Sequence, residues 1–142
     1  DEPWRIEQNA ARILDAVKPD VVHFQSHIVV GRGLAGAAVK RGIRVIGTNH
    51  FMPENGLQFT PFIGALREPA VRAAWKAAGR TFGLAEAVTT PTRKAADYLE
   101  KYTELTNVHP ISCGLHIDQY TPNLAPRTEN VVLFIGRVEA EK

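Results

Sequence analysis

Apolar positions along the chain switch between two periods. From Trp4 to Val17 they recur every three to four residues: Ile6, Ala10, Ile13, Leu14 and Val17 fall on one face, which predicts a helix. Pro3 suits its first turn, and Lys18-Pro19-Asp20 ends it. Val21-Val22-His23-Phe24 then reads as a short strand. Gly31 to Arg41 reads as a helix of small residues closed by Gly42, and Arg44 to Thr48 as a second strand. His50 to Pro61 is rich in Pro, Gly and Asn and reads as a loop. The helical period returns from Phe62 to Leu84, with an interruption expected near Pro69. A brief strand at Ala87 to Thr89 follows, then a helix over Pro91 to Tyr102 with Thr90 as its expected cap. Val108 to Ile111 and Val131 to Ile135 read as further strands, separated by the polar, Pro-containing stretch Thr121 to Arg127. Strands that alternate with helices imply an α/β fold, a parallel Rossmann-like sheet flanked by helices, expected here on both faces. Function is then expected in the loops that follow the strands.

Composition narrows this picture only modestly. With 44% hydrophobic and 23% charged residues the chain is globular rather than disordered. A net charge of +2 does not by itself call for nucleic acid. Cys113 is the only cysteine, so no disulfide forms within the chain, and a reducing, cytoplasmic setting is expected. No apolar run approaches the roughly 20 residues of a membrane span, so membrane contact is expected to be peripheral, on the inner face of the cell membrane.

Several segments carry candidate chemistry. Gly31-Arg32-Gly33-Leu34-Ala35-Gly36 matches the dinucleotide pattern Gly-x-Gly-x-x-Gly. That pattern requires its first Gly directly after a strand, with an acidic residue about 20 positions on. Here six residues separate Phe24 from Gly31, and the acidic position falls near Phe51. Close packing of the helix is the simpler account, although Arg32 at the helix N-terminus could still meet an anion. His50 enters a loop at the carboxyl end of a strand. An imidazole there could bind a substrate hydroxyl, stabilise developing charge, or simply be satisfied by a backbone carbonyl. His23 and His27 are four apart but lack the further ligands a zinc site needs, so no metal is expected. The segment Phe51 to Phe59 holds enough large apolar groups for a lid, a partner surface or a membrane-facing edge. Val71, Trp75, Ala78 and Phe82 form one helical stripe, flanked by Arg72, Lys76 and Arg80. The pattern suits a packed amphipathic helix with a solvated basic flank, or a basic surface for anionic lipid headgroups. Arg137 and Lys142 follow the Val131 strand. Taken alone they read as surface cations interleaved with Glu139 and Glu141, yet they could also clamp a diphosphate.

Five segments, in order, resemble the retaining nucleotide-sugar glycosyltransferases of family four, which have the two-domain GT-B fold. They are Pro19-Asp20-Val21-Val22-His23; Gly47-Thr48-Asn49-His50; Val88-Thr89-Thr90-Pro91-Thr92 with Ala95, Ala96 and Leu99; Ser112-Cys113-Gly114-Leu115 with Tyr120 and Pro122; and Phe134-Ile135-Gly136-Arg137-Val138-Glu139-Ala140-Glu141-Lys142. Thr48-Asn49-His50-Phe51-Met52-Pro53-Glu54-Asn55 further resembles bacterial members that transfer mannose or glucose to lipid-linked acceptors. The resemblance implies that Arg137 and Lys142 hold the donor diphosphate and that His50 contacts the transferred sugar. It places His27 and Arg32 on the acceptor side. It also implies a nucleoside-diphosphate sugar as donor, no metal or other cofactor, and retention through front-face displacement. His116 stands where the family has Asp.

On this basis residues 1–120 are expected to be most of an acceptor domain, 121–130 an interdomain linker, and 131–142 the first strand and turn of a donor domain. A central fragment of this kind is expected to lack activity by itself. One remedy for its exposed sheet edge would be dimerisation. The other readings from the residues are a non-catalytic nucleotide- or dinucleotide-binding domain built around Gly31 to Gly36, and a regulatory α/β interaction domain.

Overall fold

The computed structural model describes residues 5–52, 67–126 and 128–136. The start of the first expected helix at Trp4, most of the apolar segment after Met52, and the candidate cations Arg137 and Lys142 lie outside the described residues. The chain divides into two units, Asp1–Ser112 and Cys113–Lys142.

The first unit contains α1 (Ile6–Val17), β1 (Val21–Phe24), α2 (Val29–Val39), β2 (Arg44–Thr48), α3 (Arg67–Phe82), β3 (Ala87–Thr90), α4 (Arg93–Tyr102) and β4 (His109–Pro110). The strands form one parallel sheet in the order β1-β2-β3-β4. The register pairs Phe24 with Gly47, Gly47 with Val88, and Thr89 with His109. Each crossover steps in the same direction. Because such crossovers are right-handed, the helices between strands all fall on one face. The burial pattern agrees. Val22, Phe24, Val45, Val88 and Thr90 are buried, whereas Val21, His23 and Arg44 are exposed and Ile46, Thr48, Ala87 and Thr89 only partly covered. Among the described residues the helices therefore cover one face of the sheet, not the two expected from alternation alone.

Local chemistry explains the element boundaries. α1 ends at Lys18, which adopts the left-handed conformation (φ 51°) and donates its N–H to the Leu14 carbonyl. Ala10 and Leu14 are buried, but Ile13 and Val17 of the same apolar stripe stay exposed. Pro69 does not interrupt α3. It lies in the first turn, where an N–H has no intrahelical partner to lose. α4 begins two residues later than expected because Thr92, not Thr90, caps it. Thr92 is extended, and its hydroxyl accepts from the Ala95 N–H at 3.1 Å. Thr90 instead ends β3, fully buried, and donates to the Thr92 carbonyl.

The helix expected from Gly31 begins at Val29, so Gly31 lies inside it and not in a turn. A Cβ at Gly31 would sit 1.6 Å from the Ser26 carbonyl oxygen and 3.3 Å from the Phe24 ring. A Cβ at Gly33 would sit 2.6 Å from the Ile6 side chain on α1. These glycines serve close packing of α2 against β1 and α1.

In the second unit a 3-10 turn spans Ile117–Gln119. Residues 131–135, expected as a buried strand, pair with no strand among the described residues, and Val132 is 96% exposed. A parallel strand needs hydrogen-bonded neighbours, so an apolar run by itself does not make one.

The two kinds of glycine in α2 predict opposite results. Gly31→Ala should lower stability by about 1–3 kcal/mol, because the backbone oxygen it meets cannot move aside cheaply. Gly36, whose Cβ position is open, should tolerate Ala and gain about 0.4–1 kcal/mol. Urea midpoints at constant slope would report both.

Candidate functional site

The carboxyl ends of β1, β2 and β3 gather the polar side chains. Past β1 come Gln25, Ser26 and His27; past β2 come Asn49, His50 and Phe51. Asn49 is buried and holds this second turn. Its N–H donates to the Thr89 carbonyl at 2.9 Å, extending the β2–β3 ladder by one residue. Its Oδ1 accepts from the Phe51 N–H at 3.2 Å, a side-chain turn that fixes the backbone on both sides of His50. His50 stays exposed at the apex, with Nε2 3.0 Å from Gln25 Oε1. One step earlier on the same open face, His23 Nε2 lies 2.7 Å from Thr48 Oγ1, which lies 2.7 Å from Thr89 Oγ1. A chain of hydrogen bonds thus crosses three strands beside His50.

His27 occupies a contrasting environment. It is more than nine-tenths buried, with its ring centroid 5.9 Å from that of Phe51 and 5.5 Å from that of Phe82. Its Nδ1 has no hydrogen-bond partner among the described residues. Burial among aromatic rings pushes its pKa below the ordinary histidine value of 6.5, so the imidazole is held neutral. Phe51 joins the two candidates: it follows His50 in the chain and packs on His27.

Arg32 is placed differently. It is exposed on the first turns of α2 and lies near α1. The Glu7 carboxyl of α1 is held below its usual range chiefly by the Lys40 ammonium that pairs with it, and more weakly by Arg32. The structure therefore brings His27 and His50 to adjacent loops but leaves Arg32 on the α1 side of α2. The glycine fingerprint offers no phosphate cradle, since the space over Gly31 is filled by the Ser26 carbonyl and the Gly31 N–H donates to Ile28 O at 2.9 Å. The basic flank of α3 is also structural in part: Trp75, Ala78 and Phe82 are core residues, and Arg72 pairs with Glu68.

Gln25, Asn49, and the His23–Thr48–Thr89 chain were not evident as site residues from sequence. The available signal was the strand period of two, which puts positions 23 and 25, and likewise 48 and 50, on one side of the sheet.

The state of His27 makes stability depend on pH. A depressed folded-state pKa means that the unfolded chain takes up this proton first. Stability should be complete above about pH 6.5 and fall as pH drops through the folded-state value. His27→Phe keeps an aromatic ring without the unpaired nitrogen, so it should be at least as stable at neutral pH and flatten the acid decline. Denaturant midpoints between about pH 8 and pH 5 would measure this.

Comparison with curated proteins and with solved structures gave no match. A family model, Glycosyltransferase Family 4, matches residues 3–119. The matched span contains the whole sheet with its flanking helices and both histidine loops, in the Rossmann-like arrangement of a GT-B amino-terminal domain. The chain belongs to Glycosyltransferase Family 4.

Proposed function

We propose that this domain forms the acceptor side of a retaining hexosyltransferase that moves mannose or glucose from a nucleoside-diphosphate sugar to a lipid-linked acceptor. The observation that carries the proposal is His50: an exposed imidazole, held at the carboxyl edge of a parallel sheet by the Asn49 turn and the Gln25 contact. Ligands of open α/β sheets bind at that edge. His50 contacts the transferred sugar, while Arg137 and Lys142 grip the diphosphate. In the reaction the bond from the anomeric carbon to the diphosphate oxygen breaks. The acceptor oxygen bonds to the same face of that carbon, and its proton passes to the leaving phosphate. The two cations neutralise the charge that develops on the leaving group, so no metal is needed.

The acceptor enters on the α2 side, near His27 and Arg32. Support for a lipid-linked acceptor comes from three consecutive aliphatic residues at the start of α2. Ile28, Val29 and Val30 are 47%, 59% and 68% exposed, immediately after His27. Aliphatic groups left in water next to a polar site suit an acyl or prenyl chain, and a membrane surface to which the enzyme attaches peripherally.

Calorimetry on the intact transferase tests the donor reading. Arg137→Ala should weaken binding of free GDP or UDP about 10–100-fold, the loss of one or two charge-assisted hydrogen bonds. His50→Ala should leave the free nucleoside diphosphate unaffected and weaken only the nucleotide sugar. Absence of nucleotide-sugar binding by the unmodified enzyme would refute the reading. The acceptor side is tested by replacing Val29 and Val30 with Ser. Transfer to lipid acceptor in vesicles should drop severalfold, with donor affinity intact.

A further inference from the structure

We infer that Gln25 is the positioning residue for His50: its amide carbonyl takes the Nε2–H of the imidazole and leaves Nδ1 as an unprotonated acceptor for a substrate hydroxyl. The inference builds on the proposed contact between His50 and the transferred sugar and assigns that contact its chemistry.

The geometry follows from the sheet. β1 and β2 are parallel, with Phe24 opposite Gly47. Phe24 is buried against the helices, so the next side chain, Gln25, projects toward the opposite face, as His23 does. Gln25 reaches His50 across the same seam, and over the same 25-residue separation, that His23 uses to reach Thr48. The two contacts form a repeated cross-strand pattern one strand period apart. The Asn49 turn already fixes the backbone around His50, so rotation of the ring is the freedom that remains, and the 3.0 Å contact to Gln25 restrains it. The Gln25 side chain makes no other hydrogen bond among the described residues.

The proton inventory then decides what His50 can bind. A neutral imidazole has one N–H and one lone pair, and an amide carbonyl can only accept. Pairing through Gln25 Oε1 therefore commits the N–H to Nε2. The lone pair at Nδ1 accepts from a hydroxyl, whereas it repels an ionised phosphate oxygen, which has no proton to offer. A hydroxyl-bearing group is thus drawn to His50 and the diphosphate is turned away from it. This separates the part of the donor read by the sheet edge from the part held by cations.

Histidine-selective nitrogen NMR on the 142-residue chain tests the inference without turnover, with His50 assigned by the signal lost in His50→Asn. At a pH above the imidazole range, the unmodified chain should show His50 as the Nε2–H tautomer, and Gln25→Leu should show a mixture. Gln25→Glu places a carboxylate on the imidazole, and that charge favours the imidazolium. In the intact transferase, Gln25→Leu should lower kcat about tenfold with little change in donor KM. Gln25→Glu should move the acid limb of the pH–rate profile to higher pH, which a merely structural role would not do. An Nδ1–H tautomer in the unmodified chain, or the same tautomer pattern in Gln25→Leu as in the unmodified chain, would overturn the inference. If the tautomer pattern holds but the enzyme binds no nucleotide sugar, Gln25 keeps its role and the sugar-contact reading falls.

Discussion

The ring of Phe24 is the contact on which the sheet's carboxyl end depends. It stacks on Phe82 of α3 at 5.3 Å between centroids. It lies where side chains at Gly31 of α2 and Gly47 of β2 would otherwise extend, 3.3 Å and 2.7 Å from their Cβ positions. Two glycines without side chains and one stacked ring let two helices and two strands converge there. Burying such a ring contributes about 1.5–3 kcal/mol, and the aromatic pair adds about 0.5–1.5 kcal/mol. The residues just past this junction, Gln25 to His27 and Asn49 to Phe51, inherit their positions from it. A loop at the end of a strand is only as well placed as the packing beneath the strand.

The same junction creates two unlike histidines a few residues past neighbouring strands. His27 packs against Phe82, itself part of the Phe24 stack, and burial holds its imidazole neutral. His50 stands exposed in the neighbouring loop after β2, its ring held by Gln25. Environment separates them: one is withdrawn from protonation and packs, the other stays exposed.

Because the described helices cover only one face of the sheet, polar groups can line up beside His50. With the described helices on the Phe24 face, the other face can hold His23, Thr48 and Thr89 as a hydrogen-bonded row instead of a packed core. Arg44 of β2 pairs with Glu86, just before β3. Such a face keeps its side chains free to choose partners across strands, which a packed face does not allow.

Much of the fold was legible in the residues. The bounds of β1 and β2, and the glycines of α2 as packing residues, follow from local periods and from the lack of a strand directly before Gly31. The placement of His50 at a strand's end was equally local. Other features depended on neighbours remote in sequence. Which Thr capped α4 turned on the extended backbone of Thr92 and on where β3 stopped. Whether helices covered one face or two turned on the direction of successive crossovers. The Gln25–His50 contact joins residues 25 positions apart, and the burial of His27 depends on rings from two other elements. Sequence determined the elements because a helix or strand repeats every few residues. Tertiary structure decided the site's partnerships because register and packing bring together residues that no local period relates.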